Sequence, residues 1–154
     1  MAGVVPVERL TAIAATWFPG SLESVGLARR FVAGVLGDGC HGLDDVLLMV
    51  SEIAANAIRH TASGELGGWF DLTVSVTGDA IRVAVADRGS ASEPCVPGAS
   101  ADMEGGRGLS IVDALAVGWG HTGGQSGRVV WFEVSAGAGE LAGSDGGREA
   151  PDVD

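Results

Sequence analysis

Asp45-Val-Leu-Leu-Met-Val-Ser-Glu-Ile-Ala-Ala-Asn-Ala-Ile-Arg-His-Thr61 is the stretch whose reading decides the fold. Val46, Leu47, Val50, Ile53, Ala54, Ala57 and Ile58 recur at helical spacing and form a broad apolar arc. Glu52 and Asn56 fall outside that arc. Four residues apart, they stack one turn above the other, roughly 40° apart around the helix axis. His60 continues their line and Arg59 borders it. Such a helix is held by its apolar side and presents a carboxylate, an amide and an imidazole together. Taken alone, the pattern also describes a polar, solvated helix face.

The chain outside this helix sets bounds. Its 154 residues suit one domain with tails. The formal net charge is −11, which argues against nucleic acid as a partner, since phosphate backbones are held by clustered Lys and Arg. A nucleotide would have to be held by local geometry, metal and backbone N–H groups. No apolar run reaches membrane-spanning length, and the first residues lack the basic start and apolar core of a signal peptide. Cys40 and Cys95 follow no metal or redox spacing, and the three histidines are scattered. A reduced, cytoplasmic protein without a membrane partner is expected.

Upstream of the central helix, residues 11–18 read as a strand ended by Pro19-Gly20. Ser21 or Ser24 is expected to cap a helix running to about Leu36. Glycines between Gly37 and Gly42 break the chain before the central helix, expected from about Asp44 to Thr61. Downstream, 69–76 alternates in a strand pattern, Gly78-Asp79 is a hairpin turn, and 80–86 is the antiparallel partner. Residues 89–106 show neither period and read as a long functional loop or lid. A helix follows over 108–116, then strands near 117–121 and 128–134 joined through Gly123–Gly127. Residues 1–10 read as a flexible N-terminus and 136–154 as a disordered, acidic, Gly-rich tail, leaving 11–135 as the domain. The expected class is α+β: a two-layer α/β sandwich with a mostly antiparallel, mixed sheet covered on one face by helices.

Two further motifs lie on this framework. Asp87-Arg88-Gly89 ends a strand, where a carboxylate can accept a hydrogen bond from an exocyclic amine and a glycine admits a flat ring. The same three residues also suit a simple turn. Gly105-Gly106-Arg107-Gly108 opens a helix, where free N–H groups and the helix dipole favour an anion. It is not a dinucleotide-binding fingerprint, because a long loop precedes it and Ser110-Ile111 follow; no Gly-Lys-Ser/Thr phosphate loop is present.

In this order the motifs resemble the Bergerat ATP-binding fold shared by gyrase, a heat-shock chaperone, mismatch-repair ATPases, histidine kinases and anti-sigma-factor kinases. Val50-Ser-Glu-Ile-Ala-Ala-Asn-Ala-Ile-Arg-His60, Val85-Ala-Asp-Arg-Gly89, Gly106-Arg-Gly-Leu-Ser-Ile-Val112 and Gly127-Arg-Val-Val-Trp-Phe-Glu133 look most like the last group. Trp17-Phe-Pro and Val25-Gly-Leu-Ala-Arg-Arg30 also match its short regulators, and the resemblance covers roughly residues 13–135.

That resemblance implies ATP and Mg²⁺ as cofactors. Asn56 would ligate Mg²⁺, Glu52 would be the general base toward an attacking serine, and Asp87 would accept the adenine amine. Gly89 would line the base, Gly106 and Gly108 would face the phosphates, and Arg107 would neutralise phosphate charge. It implies a protein serine/threonine kinase that acts as an anti-sigma factor, with a sigma factor and an anti-anti-sigma protein as partners and a homodimer as a possible state. A nucleotide-binding regulatory module without phosphoryl transfer is the alternative. The chain departs from the family at Ala91, where a second glycine is frequent. It departs again at Gly127-Arg128-Val129, where many relatives carry threonine against the base.

Overall fold

The computed structural model describes residues 11–60, 64–77, 79–88 and 106–136. In chain order these form β1 (Thr11–Pro19), α1 (Glu23–Leu36), α2 (Leu43–His60), β2 (Trp69–Thr77), β3 (Ala80–Asp87), α3 (Gly106–Leu115), β4 (Gly118–Gly124) and β5 (Gly127–Ser135). The five strands make one sheet in the order β1-β2-β3-β5-β4, and the four pairings are antiparallel. The expected α+β sandwich is therefore correct, and the sheet is antiparallel throughout the described strands.

Alternation decides which side of the sheet is covered. Phe70, Leu72 and Val74 of β2, Ile81, Val83 and Val85 of β3, and Val130 and Phe132 of β5 are buried. Side chains two apart in a strand share a face, so one face of the sheet is continuously apolar. The helices lie on it. Ala28 and Val32 of α1, Val46, Met49, Val50, Ile53, Ala54 and Ala57 of α2, and Leu109 and Val112 of α3 complete a single core. The α2 helix is the centre of that layer, packed against both α1 and α3 and across β2, β3 and β5.

The ends of α2 suit a helix dipole, with Asp44 and Asp45 in the first turn and Arg59 and His60 in the last. Its apolar side is wider than the expected arc. Met49 and Ala55 are buried as well, whereas Leu47 and Ile58 are only partly so. Neither Ser21 nor Ser24 caps α1. The residue before the helix is Leu22, which makes no side-chain cap bond, and Ser24 is buried inside the first turn. The Ser21 hydroxyl is 3.5 Å from that of Ser24, so it faces a side chain and not the helix N-terminus.

The other face of the sheet is uncovered among the described residues, and carries Trp17, Trp69, Arg82, Trp131 and Glu133. Arg82 lies 4.1 Å over the Trp131 ring and its Nε donates to Glu133 Oε1 at 2.8 Å. Arg88 lies over the Trp69 ring at 4.6 Å. Among the described residues no helix is long and apolar enough to cross a membrane. The expected N-terminal and C-terminal tails, and the loop with Gly89 and Ala91, lie outside the described residues.

Candidate nucleotide site

Glu52 and Asn56 occupy the one longitudinal strip of α2 that the core does not absorb. Both are half-buried, while Ile53, Ala54, Ala55 and Ala57 around them are buried. A polar side chain rooted among buried neighbours has its backbone fixed and only its own torsions free, which narrows where its head group lies. Ser51 adds a second anchor. Its hydroxyl donates to Leu47 O at 2.8 Å and accepts from Arg29 Nη1 at 2.8 Å, so α1 is tied to α2 at the residue before Glu52. His60 and Arg59 are exposed at the end of the helix.

Asp87 is the last residue of β3 and falls on the same face as Ile81, Val83 and Val85. That places its carboxylate on the helix-covered side of the sheet. Its side chain is only 3% exposed. Arg88 projects to the opposite face, where it stacks on Trp69, so alternation separates two adjacent charged residues.

Across the sheet, Asp87 pairs in register with Arg128, the second residue of β5. The Arg128 side chain is 6% exposed, and Nε lies 3.6 Å from Asp87 Oδ2. At that distance the contact is an ion pair and not a hydrogen bond through those two atoms. In the sequence Arg128 stands out only as part of a turn that lacks the family's threonine. Its position among Val130, Phe132 and Val134 already marked it as inward-facing, since all share one side of β5. Gly127 precedes it, and an added Cβ there would make van der Waals contact with Asp87 O at 3.4 Å.

Gly106, Arg107 and Gly108 sit inside the first turn of α3, which begins two residues earlier than expected. The helix is fixed behind them by buried Leu109 and Val112 and by Trp119 Nε1 donating to Asp113 Oδ1 at 2.9 Å. Backbone N–H groups of a first helical turn have no partner within the helix and favour anions. Gly89 lies outside the described residues.

A family model described as the histidine kinase-like ATPase domain matches residues 18–133. The chain belongs to this family. Among curated relatives of this histidine kinase-like ATPase, the serine-protein kinase RsbW of Bacillus velezensis is 30% identical over 111 residues, covering 63% of this chain and 69% of the relative. RsbW of Bacillus subtilis is 29% identical over the same length, with the same coverage of both chains. The resemblance to the anti-sigma-factor kinase branch rests on these matches as well as on the motifs.

Solved structures agree on the fold. The RsbU and RsbW domains of a Mycobacterium tuberculosis protein superpose with a TM-score of 0.59 at 18% identity, over 80% of this chain and 32% of that one. The chain thus spans about a third of that larger protein. A histidine kinase domain from Erythrobacter litoralis gives 0.50 at 20% identity, over 83% of this chain and 66% of that one.

The donor set suits Mg²⁺ delivered with a nucleotide. Among the described residues no group of three or more His, Cys, Asp and Glu could hold a metal alone. Mg²⁺ on a triphosphate needs only one or two protein oxygens, because phosphates and waters complete its octahedron. The half-buried Asn56 amide oxygen is of the chemical type that such a shell takes.

Proposed function

We propose that this histidine kinase-like ATPase is an ATP-dependent protein serine/threonine kinase that also acts as an anti-sigma factor. The observation that carries the proposal is the half-buried Glu52–Asn56 strip on an otherwise buried helix. In this reading Asn56 would hold Mg²⁺ through its amide oxygen, and that ion would supply neutralisation of phosphate charge. The first turn of α3, with Gly106, Arg107 and Gly108, receives the phosphates. Asp87 accepts a hydrogen bond from the base.

Glu52 then acts on the incoming hydroxyl. A serine hydroxyl must lose its proton as its oxygen attacks the terminal phosphorus, and a carboxylate within hydrogen-bond reach takes it. The phosphorus–oxygen bond to the leaving diphosphate breaks as the new one forms. Positioning and charge stabilisation supply most of the catalysis in such transfers.

The similarity to serine-protein kinases named RsbW supports a protein hydroxyl as the acceptor. We assign the acceptor to an anti-anti-sigma protein and the sequestered partner to a sigma factor, with a second copy of the chain as a possible companion. The test is binding of Mg²⁺-ATP to the wild type and to Asn56→Ala. Loss of a metal ligand weakens binding and stops transfer together. If Asn56→Ala binds Mg²⁺-ATP as tightly as the wild type, Asn56 is not the ligand. A wild type that binds ATP and phosphorylates no native partner would establish instead a nucleotide-binding regulatory module.

A further inference from the structure

Resting on the nucleotide reading above, we infer that Asp113 and Trp119 are a positioning pair for the phosphates, which sets the aim of the first turn of α3 from the helix's far end. That turn, with Gly106, Arg107 and Gly108, offers backbone N–H groups that have no partner within the helix. Their aim is only as fixed as the helix behind them. Leu109 and Val112 bury one side of α3, and Ile111 and Ala116 pack partly against the same core. Apolar contacts are non-directional, so contacts along one side leave a short helix able to roll and tilt slightly. Trp119 of β4 adds a directional contact: its Nε1 donates to Asp113 Oδ1 at 2.9 Å.

Asp113 stands seven residues after Gly106. The two positions are therefore about 20° apart around the helix axis and about 10 Å apart along it, on one line. The donor is a firm strut, since Trp119 packs partly against the core and pairs in register with fully buried Phe132. The chain just beyond α3 is held too, with Val117 N donating to Glu133 O at 2.9 Å. That end is the pivot. A tilt of about 5° there moves the first turn, about 15 Å away, by on the order of 1 Å. Good N–H···O bonds span only about 2.7–3.2 Å, so such a shift spoils them.

Asp113 also stands where local preference speaks against it. It lies in the last turn of α3, near the negative end of the dipole, and Asp is a poor helix former. A residue that breaks the local rules and bonds to a neighbouring element marks a constraint from outside the helix.

The experiment measures the affinity of the full chain for Mg²⁺-ATP by calorimetry, and for adenosine by competition against it. The proteins are the wild type, Asp113→Ala, Asp113→Asn, Trp119→Phe and the double variant of Asp113→Ala with Trp119→Phe. Adenosine carries the base and ribose without phosphates. Asp113→Ala and Trp119→Phe each weaken ATP about tenfold, the scale of one hydrogen bond to a charged group, and leave adenosine unchanged. The double variant is no weaker than either single one, because both break the same bond. Asp113→Asn keeps an acceptor oxygen for the indole N–H and binds ATP like the wild type. It removes the same charge as Asp113→Ala, so it separates loss of the bond from loss of charge. A merely structural role would lower unfolding stability and leave the ratio of the two affinities unmoved. Asp113 is exposed, so its variants carry the test even where Trp119→Phe fails to fold. A folded Asp113→Ala with wild-type ATP affinity overturns the inference. So do additive losses in the double variant, an Asp113→Asn as weak as Asp113→Ala, and an equal weakening of adenosine. Failure of the wild type to bind ATP overturns the nucleotide reading itself, and this inference with it, and is distinguishable because it precedes any variant.

Discussion

Asp87 ends β3 and Arg128 begins the inward-facing row of β5, with Oδ2 and Nε 3.6 Å apart and both side chains out of solvent. The two charges enter the interior as a pair. Removing one partner leaves the other buried without its counter-charge, which costs about 3–5 kcal/mol.

Arg128→Met is therefore expected to lower unfolding stability by about that amount, and Asp87→Asn to lower it less, because the amide oxygen still offers the buried guanidinium an acceptor. The double variant is expected to be more stable than the sum of the two losses indicates, because neither charge is then stranded. Urea unfolding of the four proteins gives the coupling. Additive losses would show that the pair is not energetically linked.

Gly123 tests the β4–β5 hairpin. Its φ is +91°, and an added Cβ would lie 2.2 Å from Gly127 O, a backbone atom that cannot turn aside. Its neighbour Gly124 has nothing within 4 Å of the same added carbon. Gly123→Ala should lose at least about 1–3 kcal/mol from the strained conformation alone. Gly124→Ala is expected within about 1 kcal/mol of the wild type. Thermal unfolding of the two variants checks the contrast, and equal melting temperatures would contradict the hairpin geometry.

Met49 lies on α2 outside the arc that periodicity picked out, yet it is fully buried. Met49→Ala should cost about 2–5 kcal/mol. A denaturation midpoint unchanged from the wild type would place Met49 at the surface.

Such residues show what the sequence carries and what it omits. The strands of β2 and β3 were legible because Phe70, Leu72 and Val74, then Ile81, Val83 and Val85, alternate with polar or small residues. The central helix was legible because its apolar residues recur at helical spacing. Met49 was missed because α2 is covered on more than one side, by α1 and α3 as well as the sheet, so its buried sector exceeds one stripe. The start of α3 was placed late because Gly106 and Gly108 are poor helix formers, and tertiary contacts at Leu109 and Val112 outweigh that. The Asp87–Arg128 pair was half legible. Each strand's alternation turns its charged residue inward, but only the strand order β3-β5 joins them, and no local pattern encodes an adjacency across more than forty residues.

Glu52 carries the central claim that the protein moves phosphate and does not only bind nucleotide. Glu52→Gln preserves the side-chain shape on α2 and removes only its capacity to take a proton. The decisive measurement is transfer of labelled phosphate from ATP to a co-purifying anti-anti-sigma protein by the wild type and by Glu52→Gln, with ATP affinity measured in parallel. The account predicts that Glu52→Gln binds ATP about as well as the wild type and transfers about 10²–10⁴-fold more slowly. Transfer by Glu52→Gln at the wild-type rate would contradict it.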